Sequence, residues 1–151
     1  MQPASDFHLR KASASDSRAI RKLVIAGGIN PTGLDWRRFV VAVSEEGEVI
    51  GCGQVKPHGD GSQELASIAV AQERRGKGAA RAIIEGLLED NPGELYLMCR
   101  SGLSGLYEKF GFRAIQEEER PRYFQKVSRL AGLVEVLRRD GESLTVMKRD
   151  A

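Results

Sequence analysis

Residues 64–88, ELASIAVAQERRGKGAARAIIEGLL, constrain this chain more than any other stretch. Leu65 to Val70 form a short apolar run bounded by turn residues, which predicts a buried strand. Gly76 and Gly78 then stand where the chain must turn sharply into a helix. That helix is expected to bury Ala80, Ile83, Ile84, Leu87 and Leu88 along one face, as a period near 3.6 demands. The first turn of a helix leaves backbone N–H groups unpaired, and together with the aligned peptide dipoles they favour an anion such as phosphate. The loop between strand and helix is therefore a candidate pyrophosphate cradle.

Two common phosphate motifs are excluded. A P-loop needs Gly-Lys followed by Ser or Thr, a sequence that does not occur here. The dinucleotide pattern GxGxxG fails at its third glycine, where Arg81 stands. Arg75-Gly76-Lys77-Gly78-Ala79-Ala80 instead resembles the (Q/R)xxGx(G/A) motif of the GNAT superfamily of N-acetyltransferases. The resemblance implies that Ile68, Ala69 and Val70 meet the pantetheine arm of acetyl-CoA. It also implies that the amides of Arg75, Gly76, Lys77, Gly78, Ala79 and Ala80 hold the pyrophosphate, with Arg74, Lys77 and Arg81 available for outer phosphates.

A second similarity lies downstream. Residues 101–112, SGLSGLYEKFGF, predict a helix with Leu103, Leu106, Tyr107 and Phe110 on an apolar face, stopped by Gly111 before a strand over 112–116. The ending Tyr107-Glu108-Lys109-Phe110-Gly111-Phe112 is similar to the one that follows the fifth strand in GNAT enzymes. In many of those enzymes the tyrosine is the general acid for the departing CoA thiolate, a role that would fall to Tyr107. On local pattern alone it is a core tyrosine. Arg100 stands where many members carry Asn, so the contact made by that amide stays unassigned.

Acetyl transfer to an amine needs a base, stabilisation of the developing oxyanion and a proton for the leaving thiolate. Glu64 lies six residues before Val70, the spacing at which the histone-acetylating branch carries its glutamate. The resemblance thus implies Glu64 as base, directly or through water; the residue alone reads equally as a strand-start glutamate facing solvent. Regular alternation places Glu64, Ala66, Ile68 and Val70 on one face, and by family analogy the Val70 N–H polarises the thioester carbonyl. His58, in the loop Pro57-His58-Gly59-Asp60-Gly61-Ser62, is of a residue type suited to base chemistry at neutral pH. A lone histidine among glycines is more often solvated, and it ranks below Glu64.

The remaining elements follow from periodicity and turn chemistry. A strand over 7–11 precedes a helix begun near Ser13 to Asp16, buried through Ile20, Leu23 and Val24 and stopped by Gly27-Gly28. A short helix is expected over 34–38, where Asp35 and Trp36 read either as substrate contacts or as a cap and a core anchor. Strands over 39–43 and 48–56 form a hairpin. The unit from Leu65 to Cys99 reads as a βαβ. Residues 121–139 predict a helix with Tyr123, Phe124, Val127, Leu130, Leu133, Val134 and Leu137 inward, ended by Gly141 and followed by a strand over 143–148. That helix exceeds the minimal family plan; packing on the sheet is the simplest role, and an acceptor-pocket or homodimer contact stays open.

At 151 residues, 41% hydrophobic and 29% charged, the chain is expected to form a single domain over 1–151. A formal charge of +2 gives no strong pull toward nucleic acid or membrane. The acidic run Glu117-Glu118-Glu119 argues further against a nucleic-acid-binding C-terminal helix. No stretch reads as a membrane span or signal peptide, which makes cytoplasm the expected location. Cys52 and Cys99 sit far apart without CxxC or paired histidines, so buried reduced thiols are expected and no metal site. The expected fold is therefore α/β: a GNAT-like mixed, largely antiparallel sheet with helices on both faces, a central βαβ cofactor unit and an extra C-terminal helix before the last strand. The expected function is transfer of acetyl from acetyl-CoA, with CoA as product, to a protein lysine, a protein N-terminus or a small amine in a ternary complex. The alternative is a non-catalytic acyl-CoA-binding regulatory module on the same fold.

Overall fold

The computed structural model describes residues 6–135 and 143–151. Its elements run β1 (Phe7–Lys11), α1 (Ser17–Ala26), β2 (Phe39–Ser44), β3 (Val49–Pro57), β4 (Gln63–Val70), α2 (Ala79–Asp90), β5 (Leu95–Arg100), α3 (Ser104–Glu108), β6 (Arg113–Ala114), α4 (Arg122–Glu135) and β7 (Leu144–Arg149). The strands hydrogen-bond in the order β1-β2-β3-β4-β5-β7-β6. The β1–β2, β2–β3, β5–β7 and β6–β7 pairs are antiparallel and β4–β5 is parallel. This is the mixed, mostly antiparallel sheet expected from the sequence. Contacts divide the chain into two compact units, one running through Lys56 and resuming over Leu65–Asn91, the other made of Pro57–Glu64 and the chain from Pro92 onward.

In the first unit, a capping box between Ser13 and Asp16 starts the 3-10 turn over Ala14–Asp16 that leads into α1. The Ser13 N–H donates to Asp16 Oδ2 at 2.7 Å, and the Arg10 guanidinium grips the same carboxylate at 2.7 and 3.0 Å. Arg10 is the main reason that the Asp16 carboxyl lies down at about 2. Ile20 and Val24 of α1 then join Phe39, Val41, Val43, Cys52 and Ala69 in one core. Helix α2 contributes Ala79, Ile83, Ile84 and Leu87 as its buried residues; Ala80 and Leu88, expected inward, are only half-buried because the buried arc is turned toward Ala79. Gly53 makes this packing possible: a Cβ there would lie 2.6 Å from Ile68 Cδ1 and 2.7 Å from Ile83 Cγ2.

The alternation expected along β4 is interrupted. Ser67 sits at φ 59°, in the left-handed region that disfavours residues with a Cβ. Its hydroxyl accepts a 2.9 Å bond from Gln54 Nε2, which also reaches the Gly33 carbonyl at 3.3 Å. A buried polar contact thus accompanies the unusual backbone.

In the second unit, Tyr96, Ile115, Phe124 and Val146 form the core, with Met98 and Tyr123 against it. α4 packs on β7. The apolar faces expected here are narrower than the sequence suggested. Leu130 is 64% exposed, and Leu103 and Leu106 are 47% and 41% exposed. A 3-10 turn over Ser101–Leu103 precedes the five-residue α3, so no continuous helical stripe runs through 101–110. The strand expected over 112–116 is two residues long. Residues 131–135 continue α4, while the expected positions Leu137 and Gly141 lie outside the described residues. Cys52 and Cys99 are both buried and free. Among the described residues no His, Cys, Asp and Glu cluster suits a metal, and no helix is long and apolar enough to cross a membrane.

Candidate active site

The cradle is built from backbone. After Val70, a 3-10 turn over Gln72–Arg74 leads to Arg75, whose Nε donates to the Val70 carbonyl at 3.2 Å and ties the loop to its strand. Gly76 and Gly78 adopt φ 79° and 88°, a region open to glycine at little cost. Gly78 is the N-cap of α2, and no side chain caps that end. The first helical bond runs from Ala82 N–H to the Gly78 carbonyl at 3.0 Å. The amides of Ala79, Ala80 and Arg81 therefore precede the intrahelical ladder and carry the positive end of the helix dipole. A Cβ on Gly76 or Gly78 would meet nothing within 4 Å. Open space beside unhindered amides fits a pyrophosphate.

The cations around the loop differ in readiness. Arg74 lies 3.6 Å from Glu46 and Arg81 lies 3.0 Å from Glu85, so both have carboxylate partners. Lys77 is exposed and has no ion pair among the described residues. Of the three expected phosphate cations, Lys77 is the one not engaged.

The second cluster is built from side chains. Glu64 is 7% exposed, which settles against a solvent-facing strand start. Its Oε1 lies 2.8 Å from His58 Nε2, and both side chains are buried. His58 is thus far from the solvated loop residue expected. Its ring stacks on Tyr123 with centroids 3.4 Å apart and meets the edge of Phe124 at 5.7 Å. Asp60 Oδ2 accepts the Tyr123 N–H at 2.9 Å, which anchors the first turn of α4 to the His58 loop. Opposite Glu64 in the sheet register stands Tyr96, itself 5.3 Å from Phe124.

Sequence patterns rank His58 below Glu64 and place Tyr123 only in a helix core, yet one signal for His58 is present. Residues equidistant from a tight turn face each other across a hairpin. Gly61 N–H donates to the His58 carbonyl and His58 N–H to the Ser62 carbonyl, at 3.0 and 2.9 Å. The turn pairs His58 with Ser62, which leaves Glu64 a diagonal neighbour two positions further along, within reach of a long side chain. Tyr123 carries no such local signal.

Tyr107 belongs to a third group of residues. It is half-buried on α3, edge-on to Phe112 at 6.3 Å. Burial, assisted by the nearby Cys99 thiol, pushes its phenol up to about 12. The group therefore stays protonated through neutral pH, as a proton donor must. Asp35 caps the turn over Trp36–Arg38 by accepting the Arg37 N–H at 3.1 Å, and Trp36 packs against the α1 core with Arg37 over its ring at 5.2 Å. The cap and the anchor are both present.

Residues 35–114 match the model of the acetyltransferase (GNAT) domain. An uncharacterized N-acetyltransferase of Chlorobaculum tepidum is 29% identical over 133 residues, spanning 79% of this chain and 83% of the relative. Among solved structures, N-acetylglutamate synthase from Neisseria gonorrhoeae, complexed with coenzyme A and N-acetyl-glutamate, superimposes with a TM-score of 0.73 at 17% identity over 95% of this chain. The match spans only 34% of that enzyme. Rv2747 from Mycobacterium tuberculosis, in complex with CoA and NLQ, gives a TM-score of 0.71 at 22% identity, covering 95% of this chain and 99% of that one. With more than half of its length matched by the domain model, the chain belongs to the GNAT family of acetyltransferases.

Proposed function

We propose that this protein transfers acetyl from acetyl-CoA to a primary amine by direct attack in a ternary complex. Bound acetyl-CoA supplies an activated acyl thioester. Ile68, Ala69 and Val70 line the pantetheine arm, and the amides of residues 75–80 with Lys77 hold the pyrophosphate. The two neighbours solved with CoA support that choice of cofactor.

Glu64 removes a proton from the acceptor ammonium, either directly or through water, which leaves a neutral nitrogen able to attack. The Val70 N–H polarises the thioester carbonyl. Tyr107 gives its proton to the departing sulfur, a task for which a phenol held up at about 12 begins in the right protonation state. The observation that carries this reading is the buried Glu64 carboxylate, since a carboxylate withdrawn from water needs a reason to be there. Protein lysines, protein N-termini and small amines are all acceptors of the right chemistry. The N-acetyl-glutamate held by the Neisseria gonorrhoeae enzyme adds glutamate to the amines worth testing.

The test is calorimetric titration with acetyl-CoA, CoA and NAD, followed by a free-thiol assay over a panel of amines. Binding of acetyl-CoA and CoA but not NAD, with thiol release that depends on an amine, is the expected result. Binding with no release for any small amine or lysine peptide would favour the regulatory module. No binding would overturn the assignment of the cradle.

A further inference from the structure

Glu64 raises a physical problem that its surroundings answer. A carboxylate 7% exposed is penalised for its charge, and a base must carry that charge before it can accept a proton. We propose that His58 is the positioning residue that keeps Glu64 ionised and aimed, its Nε2–H donating to Oε1 while the carboxylate receives the acceptor's proton. This inference rests on Glu64 being the base.

The geometry supports the assignment at each step. Nε2 and Oε1 are 2.8 Å apart, in the range of a charge-assisted bond. An ionised carboxylate only accepts, so Nε2 must carry the hydrogen. Both the neutral Nε2–H tautomer and the imidazolium satisfy that requirement, and the role asks for nothing more of the ring. The imidazole cannot swing away easily: Tyr123 covers one face at 3.4 Å, and Phe124 closes an edge at 5.7 Å. Tyr123 is itself held by Asp60 through its backbone N–H. The ionisable groups around the pair are Asp60 on the same loop, Tyr123 on α4, and Tyr96 on β5 with Lys148 of β7 over its ring at 5.8 Å. The imidazole meets Oε1 at hydrogen-bond distance.

The step itself balances without His58 changing its proton count. An N–H bond of the acceptor ammonium breaks, an O–H bond forms on the Glu64 carboxylate, and the neutral amine is left. His58 donates the same hydrogen bond throughout.

The experiment is a kcat/KM profile from pH 6 to 10 for the full chain and for His58→Ala, His58→Gln and Glu64→Gln, with acetyl-CoA affinity and thermal melting measured alongside. Glutamine keeps an N–H donor near the Nε2 position but cannot titrate. His58→Gln should stay within about threefold of the wild type at every pH, because the donated bond survives. His58→Ala should lose most at the acid end of the profile, up to about tenfold below the limb, and recover by pH 9, its acidic limb moved up by about one unit. Equal losses in His58→Gln and His58→Ala at all pH values would overturn the proposal, as would an unshifted limb in a folded His58→Ala. An undiminished Glu64→Gln would overturn the base assignment beneath it, a failure visible separately. If His58→Ala does not fold, nitrogen NMR of labelled imidazole decides: a proton on Nε2 at pH 7 that redistributes in Glu64→Gln supports the role, and a bare Nε2 overturns it.

Discussion

The cradle after Val70 and the cluster around Glu64 are made from different materials. The first is main chain: two glycines at positive φ, a helix start without a side-chain cap, and space where a Cβ would otherwise sit. Its chemistry comes from amides that every residue but proline has, so the sequence need only permit a shape. The second is side chain: a carboxylate, an imidazole and three aromatic rings, with Asp60 and Tyr123 joined across 63 positions. Shape encoded by consecutive residues is local information, whereas a side-chain cluster depends on the fold that assembles it. The two regions should therefore break in different ways, and the largest break belongs to the second.

Glu64→Gln keeps the size and a hydrogen-bonding oxygen while removing the carboxylate proposed as base. Turnover at pH 7 should fall by roughly a hundredfold or more, the span over which general bases contribute. Acetyl-CoA affinity should hold. A drop in affinity instead of rate would mean that Glu64 belongs to binding, and the contrast between the regions would collapse.

Gly78→Val attacks the cradle by shape alone. At φ 88° a β-branched residue is strained by about 1–3 kcal/mol, so stability falls along with any loss of binding. Gly47 supplies the control, since its φ is 86° and a Cβ there also meets nothing within 4 Å. Gly47→Val and Gly78→Val should both lower the melting temperature, but only Gly78→Val should weaken CoA binding, by about tenfold or more, equivalent to about 1.4 kcal/mol. Matching CoA affinities in the two variants would show that strain rather than cradle geometry was being measured.

The shape of the cradle is nearly all legible in the sequence. Gly76, Gly78 and the α2 stripe can be read because turn chemistry and helical periodicity act over a few residues. Glu64 and Tyr107 become candidates by resemblance, not by pattern. What fails does so for geometric reasons. Leu103 and Leu106 look inward on the assumption of one helix, but a 3-10 turn and a five-residue α3 break the phase. Ser67 disturbs the alternation of β4 with a positive φ that serine does not advertise. His58 looks solvated among glycines because the rings that bury it come from α4.

Tyr107→Phe removes one hydroxyl and retains the ring that meets Phe112 edge-on. Turnover should fall by about tenfold or more, with acetyl-CoA affinity unchanged. The phenol ordinarily ionises near 10 and is held up at about 12, so the wild type should show no alkaline loss from this group below about pH 11. Equal rates for Tyr107→Phe and the wild type at every pH would remove the hydroxyl from the chemistry.

The smallest effect tests whether the side-chain cluster depends on its anchor. Asp60 accepts the Ser62 hydroxyl at 2.6 Å and the Tyr123 N–H at 2.9 Å, and it caps α4 from a distant loop. These bonds, the Ser62 hydroxyl first, pull its carboxyl down to about 2. A group with a lowered folded-state pKa stabilises the protein above its unfolded value, and that contribution disappears as pH falls toward the folded value. Asp60→Ala should therefore cost about 0.5–1 kcal/mol at pH 7, discounted because the residue is exposed. The difference from wild type should shrink between about pH 4 and pH 2. Activity should fall no more than about twofold if stacking on Tyr123 and Phe124 holds His58 without the anchor. A much larger loss of rate, with an acidic limb displaced as in His58→Ala, would mean that the cap on α4 sets the position of the imidazole, and that the base depends on packing begun in a loop.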